Sequence, residues 1–293
     1  MSPPLFFALP GNEAMTAGLA ARTRGQVGRL HFHIYPDGES GLRFEDSPQN
    51  RNVVLVCTLA RPNDKFLPLI FAADAARELG ATRVGLVAPY LCYMRQDRRF
   101  APGEAITSRS FATLLSHSLD WLVTVDPHLH RYKSLQEIYS IPCRALHAGP
   151  ALAVWIQDNV PRPFLIGPDA ESRQWVENVA KASGAAFTIL EKTRTGDSTV
   201  ATMPVQTPIP DGATPVVLDD IVSSGATLLE TLRLLEPAAH AGVAVVVHGL
   251  HDPKLASELR KIGARLITTN SIPNPEAAMD ITHLIASGIT EFI

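Results

Sequence analysis

Val216 to Glu230 reads VVLDDIVSSGATLLE. Three apolar residues lead to the adjacent carboxylates of Asp219 and Asp220. Two more apolar residues follow, and Ser223, Ser224, Gly225, Ala226 and Thr227 then run into a leucine-rich helical pattern. A short apolar run passing through a loop into an amphipathic helix is the unit of a parallel sheet covered on both faces. In such sheets ligands bind beyond the carboxyl ends of the strands, where loops enter helix N-termini. Two neighbouring carboxylates repel and lose hydration there unless something neutralises them, and sugar hydroxyls or a metal ion do so. The residues after them supply hydroxyls and closely spaced N–H groups at the positive end of a helix, a cradle for phosphate. The stretch reads as a sugar-phosphate grip; a strand-end aspartate followed by a serine helix cap would give the same letters.

Outward from this stretch the same alternation recurs. NVVLVCTL (52–59) and RVGLVAPY (83–90) read as strands on either side of a helical KFLPLIFAADAARELGA, and SRSFATLLSHSL leads helically into the strand WLVTVD (121–126). A second cycle begins at RPFLIGPD (162–169), passes through the helical ESRQWVENVAKASGA and the extended AFTILEKTR, and reaches PVVLDD, SGATLLETLRLLEPAAHAG and VAVVVHGL. The expected fold is α/β, with two tandem domains, each a mainly parallel sheet flanked by helices. Their expected extents are 1–147 and 148–293, next to the helix-like GPALAVWIQD and the proline-rich VPRP, with about the last 15 residues packing back on the first domain. A chain of 293 residues fits that division, because single cores rarely exceed roughly 250 to 300 residues.

A formal net charge of -3 with 19% charged residues gives no overall field that would favour nucleic acid or an anionic membrane, so any basic function is local. No apolar run approaches the length of about 18 residues that spans a bilayer, and MSPPLFFALP lacks the charged start of a signal peptide, so a cytoplasmic protein is expected. Cys57, Cys92 and Cys143 are odd in number and far apart, which suits buried small hydrophobes better than disulfides or zinc ligands.

DDIVSSGAT resembles the phosphoribosyl-binding motif of type I phosphoribosyltransferases and of ribose-phosphate diphosphokinases, which make phosphoribosyl diphosphate (PRPP). PYLCYMRQDRRFAPGEAIT (89–107) separates the two: from Arg95 to Arg99 it is similar, almost residue for residue, to the ATP-binding segment of the diphosphokinases. Physically, Arg95, Arg98 and Arg99 with Gln96 place cationic forks and an amide on a loop after a strand, suited to phosphate oxygens and purine edges, although an arginine-rich loop is more often a solvated face. YPDGES (35–40) resembles the loop that reaches an adenine in a neighbouring subunit, implicating Tyr35, Asp37 and Glu39. LEKTRTGDS (190–198) resembles the catalytic segment, with Lys192 and Arg194 at i and i+2, a spacing that in an extended strand aims both cations at one developing charge. TVDPHLH resembles the segment whose histidine serves the metal and ATP, here His128 with His130 as a possible substitute, and GPDAES the one that supplies an aspartate near magnesium, here Asp169.

The resemblance, which covers nearly the whole chain, implies two phosphoribosyltransferase-like domains. It also implies ATP and ribose 5-phosphate as substrates, Mg2+ as cofactor and at least a homodimer. Asp219 and Asp220 would hold the ribose and residues 223–227 the 5-phosphate. There are departures: Pro127 and Leu129 flank His128, Glu171 and Ser172 replace a customary glycine pair, and Ala226 replaces the second glycine of the phosphate loop. These make a compact, divergent member, and they leave two rivals: a non-catalytic regulatory partner of a true synthetase, and a phosphoribosyltransferase, for which no base-recognition hood is seen.

Overall fold

The computed structural model describes residues 2–190, 209–235 and 242–293, together with the backbone of 192–194 and 200–202. The chain divides into unit 1, residues 1–146 with Thr282–Ile293, and unit 2, His147–Ile281.

Unit 1 begins β1 (Leu5–Ala8), α1 (Glu13–Thr23), β2 (Gln26–Gly28), β3 (Leu30–Ile34), β4 (Ser40–Phe44) and β5 (Asn52–Val56). It continues α2 (Asn63–Glu78), β6 (Arg83–Ala88), α3 (Thr107–Ser118), β7 (Trp121–Val125) and β8 (Cys143–Leu146). Six strands form one sheet in the order β2-β1-β5-β6-β7-β8, every pairing parallel. Consecutive residues of β5, β6 and β7 are buried rather than alternate ones, because helices cover both faces. Gly85 in β6 lies under the Trp121 ring, where a Cβ would collide with the indole, so the glycine admits the largest fully buried side chain of the core. β3 and β4 form a separate antiparallel hairpin.

Unit 2 contains α4 (Gly149–Asn159), β9 (Pro163–Gly167), α5 (Arg173–Ser183), β10 (Ala186–Ile189), β11 (Lys192–Arg194), β12 (Val200–Thr202) and β13 (Thr214–Val222). α6 (Ala226–Leu234), β14 (Val243–Gly249), α7 (Pro253–Lys261), β15 (Arg265–Thr269) and β16 (Ala277–Met279) complete it. Its sheet runs β10-β9-β13-β14-β15-β16, again all parallel, around a core that includes Phe164, Ile166, Val217, Leu232 and Val246. The run read as one extended segment, AFTILEKTR, is two strands: β10 joins this sheet, whereas β11 pairs with β12 in a ladder of its own. α8 (Thr282–Ile289) returns to unit 1.

The three thiols are free; Cys57 and Cys92 are buried and Cys143 half-buried. Burial pushes Cys57 and Cys143 up to about 12 and Cys92 further, so all three stay protonated near neutral pH. Among the described residues no helix is long and apolar enough to cross a membrane.

Candidate functional site

In unit 2, β13 runs on past the two aspartates to Val222. Its pairing with β9 ends at Val217–Ile166, while pairing with β14 continues through Asp219–Val246 to Val222–Gly249. Asp219 and Asp220 therefore occupy the stretch where one side of the strand has lost its neighbour. Both are half-buried, and the Asp220 amide donates to Asp219 Oδ1 at 2.9 Å. Burial pushes the Asp219 carboxyl well above the usual carboxylate range, and the charges of Asp220 and Asp169 push it further, partly offset by that amide. Three mutually repelling carboxyl groups at the end of a sheet call for a cation or hydroxyl donors.

The loop beyond them ends at Gly225, which takes φ of 73° as N-cap of α6; a Cβ there would meet Leu255. Both the backbone and the space demand glycine at this one position. Ala226 is the first helical residue, where no positive φ is needed, so the alanine that stands for the second glycine of the phosphate loop takes an ordinary conformation. Ser223 and Ser224 are exposed and Thr227 is half-buried; the Ala226 amide reaches Ser224 Oγ at 3.4 Å. The arrangement puts hydroxyls and the first N–H groups of α6 beside the carboxylates, as a phosphate cradle requires.

Asp169 follows β9 as the cap of a 3-10 turn over Ala170–Ser172: its Oδ1 accepts from the Ser172 amide at 3.1 Å, and its carbonyl accepts from Ser172 Oγ at 2.6 Å. Ser172, where a glycine is customary in the family resembled, thus has a structural use. Lys192 and Arg194 pair with Thr202 and Val200, alternate positions of one ladder. Their side chains lie outside the described residues.

In unit 1, β6 and β7 are neighbours and parallel, so the loops after them emerge at the same edge of the sheet. The first carries Arg95, Gln96, Arg98 and Arg99, all exposed, around a buried Asp97. Gln96 is tied to the start of α3: its carbonyl accepts from the Ser108 amide and its Oε1 from Thr107 Oγ1, each at 3.3 Å. The second loop holds Asp126 at φ 34° and His128 at φ 55°, left-handed values that non-glycine residues adopt at a cost of about 1–3 kcal/mol. That strain coincides with a ring pair: His130 Nε2 and His128 Nδ1 are 3.1 Å apart, so one nitrogen donates and the other accepts.

Tyr35, Asp37 and Glu39 lie at the exposed tip of the β3–β4 hairpin. The Tyr35 amide donates to the Glu39 carbonyl at 2.7 Å, and Asp37 Oδ1 accepts from the Glu39 amide at 3.1 Å. The Tyr35 ring, 48% exposed, meets His33 edge-on. The turn presents the aromatic outward and spends the aspartate on its own backbone.

Sequence reasoning overlooked Arg131 and Tyr132, which fasten the arginine loop from beneath. Their signal was a single carboxylate, Asp97, enclosed among cations. For hard oxygen-seeking Mg2+ the donor set of unit 2, Asp169, Asp219 and Asp220, fits better than the imidazole pair of unit 1.

Residues 5–118 match the family model for the N-terminal domain of ribose phosphate pyrophosphokinase, and residues 134–280 that for the phosphoribosyl transferase domain. A ribose-phosphate pyrophosphokinase of Methanopyrus kandleri is 32% identical over 276 residues, 92% of this chain and 93% of the relative. One of Saccharolobus solfataricus is 33% identical over 251 residues, 83% and 84% of the two chains. The crystal structure of phosphoribosylpyrophosphate synthetase from Mycobacterium smegmatis has the same fold, with a TM-score of 0.85, 22% identity and 99% of both chains covered.

Proposed function

The chain belongs to the ribose-phosphate pyrophosphokinase family, and from that premise we propose that it transfers the β,γ-diphosphoryl group of Mg-ATP to the anomeric hydroxyl of ribose 5-phosphate, giving PRPP and AMP. The observation that carries the reading is the half-buried pair Asp219 and Asp220, set where β13 loses a neighbour and followed by the glycine-capped start of α6. In this reading unit 2 is the ribose-phosphate half: the two aspartates take the ribose hydroxyls, and Ser223 to Thr227 take the 5-phosphate. Unit 1 is the ATP half: Arg95, Gln96 and Arg99 bind the nucleotide with His128, and Tyr35, Asp37 and Glu39 reach the adenine of a second copy. The exposed Tyr35 at a hairpin tip supports that last role, and with it a homo-oligomer. A cytoplasmic location is part of the same proposal.

Asp169 and its neighbouring carboxylates in unit 2 would hold magnesium, and His128 in unit 1 would serve the metal-bound ATP; the ion would supply charge neutralisation to the phosphate oxygens. The chain's own part is alignment: carboxylates fix the sugar so that its anomeric oxygen faces the β-phosphorus, and Lys192 and Arg194 meet the charge on the transferring group. A coupled assay with Mg-ATP and ribose 5-phosphate tests this, the expected result being AMP and PRPP in equal amounts. Lys192→Ala should lower kcat far more than it raises KM, whereas an effect confined to KM refutes the role given to Lys192.

A second reading, a non-catalytic regulatory partner, is favoured by one observation: Asp169 is already engaged as a helix cap. Binding of both substrates with no AMP formed would support it.

A further inference from the structure

Asp97 is the one buried member of the Arg95–Arg99 run, with its side chain 1% exposed. Both its carboxylate oxygens accept from Arg131 Nη1, at 2.9 and 3.0 Å. Its backbone carbonyl accepts from the Tyr132 hydroxyl at 3.2 Å. Arg131 and Tyr132 belong to the loop after β7 that also carries His128. The guanidinium of Arg131, 34% exposed, lies 5.7 Å from the Phe100 ring centroid, and that of Arg98 lies 4.9 Å from it. Phe100 itself is 58% exposed, so the ring adds little hydrophobic anchorage and acts as a spacer between the two cations.

A carboxylate this deeply buried needs a charged partner, and its partner comes from a different loop. We propose that Asp97 and Arg131 form a staple that sets the loop after β6 in register with the loop after β7, making Arg131 a positioning residue for the nucleotide-binding arginines. Asp97 has no access to a ligand, so it acts only through where it holds its neighbours. The side chains of Arg95, Gln96, Arg98 and Arg99 point outward because Asp97 points inward and is fixed there at both its carboxylate and its carbonyl. The inference rests on the ATP-binding role proposed for that loop.

The test is a double-substitution cycle on the full-length enzyme with Asp97→Asn, Arg131→Ala and the pair together, read as KM for ATP, kcat and the dissociation constant for ribose 5-phosphate. A staple predicts that each single change raises KM for ATP roughly tenfold, that the double change does no more than either single, and that ribose 5-phosphate binding is unchanged. Arg131→Lys, which keeps the charge, should recover part of the loss, and it serves in place of Arg131→Ala if that protein does not fold. Wild-type KM in Asp97→Asn, or single effects that multiply to about a hundredfold in the double, would overturn the staple and make Arg131 a direct contact. Altered melting temperature with KM for ATP unmoved would equally overturn it, leaving the pair a fold element only. Calorimetry of wild-type protein with ATP separates the two levels: no ATP binding there overturns the nucleotide role of the loop, and the staple's purpose with it.

Discussion

At the scale of single residues, Asp219 is held in a state that costs stability. Its carboxyl is raised in the folded chain by burial first and by Asp220 and Asp169 next. Between the ordinary carboxylate pKa and that raised value the folded chain holds a proton that the unfolded chain has released, so stability falls as pH rises through this window. Asp219→Asn removes the liability. Its melting temperature should exceed wild type by a few degrees at neutral pH, the gap should close below about pH 4, and turnover should collapse. Scanning calorimetry across pH checks this, and a lower melting temperature at pH 7 would contradict it. The sequence exposed this residue because two adjacent carboxylates at a strand end have few innocent uses. It did not reveal Arg131, since a lone arginine carries no local sign of a partner 34 residues away, where Asp97 waits for it. Nor did the sequence show that Asp169 would cap the turn by accepting from the Ser172 amide, a matter of backbone geometry and not of residue type.

Among elements, legibility followed length and burial. β5, β6, β7, β9, β13 and β14 were readable as continuous apolar runs, because a strand covered on both faces has no polar alternation to blur it. The four-residue β1 and the three-residue β2 and β16 fall below what a periodic pattern can mark, and the β3–β4 hairpin, mixed in burial, shows only its PDG turn. The division of AFTILEKTR between two sheets was invisible for the same reason: ladder partners are chosen by tertiary contact. The end of the chain beyond α8 shows how such contacts work. The Phe292 ring stacks on Trp121, 5.0 Å between centroids and 19° between planes, with the Arg144 guanidinium 6.0 Å from its own centroid. Its carbonyl accepts from Asn52 Nδ2 and Arg83 Nη1, each at 3.0 Å. Phe292→Ala keeps those backbone bonds and removes the ring, so it should destabilise unit 1 by about 3 kcal/mol. Urea unfolding followed by tryptophan fluorescence would read this as a lower midpoint at unchanged slope.

In the molecule as a whole, one architecture is used twice. The sheets have matching strand orders, and each two-stranded antiparallel ladder, β3–β4 and β11–β12, falls in chain order between the second and third sheet strands of its unit. What differs is the loop after the third strand. In unit 1 its backbone is held by side chains from outside the loop: the Thr58 amide donates to Asn12 Oδ1 at 2.8 Å, and the Thr58 carbonyl accepts from Lys65 Nζ at 2.9 Å. In unit 2 the same place holds the repelling carboxylates Asp219 and Asp220 and the glycine-capped start of α6, so among the described residues the two copies of the scaffold differ most at this loop. Unit 2 is a single continuous segment, whereas unit 1 needs α8, which packs against α1, β7 and β8. Residues 147–281 expressed alone should therefore fold and melt cooperatively; residues 1–146 should do so only when 282–293 are fused to them, as circular dichroism melting would show. The same connectivity has a mechanical meaning. A single molecule pulled from attachment points in β1 and α8 is loaded at two places within unit 1, and by chain connectivity unit 2 enters the load path only through residues 146–147 and 281–282, once unit 1 gives way. Its rupture should then come second, as a separate event, however strong or weak unit 2 is by itself.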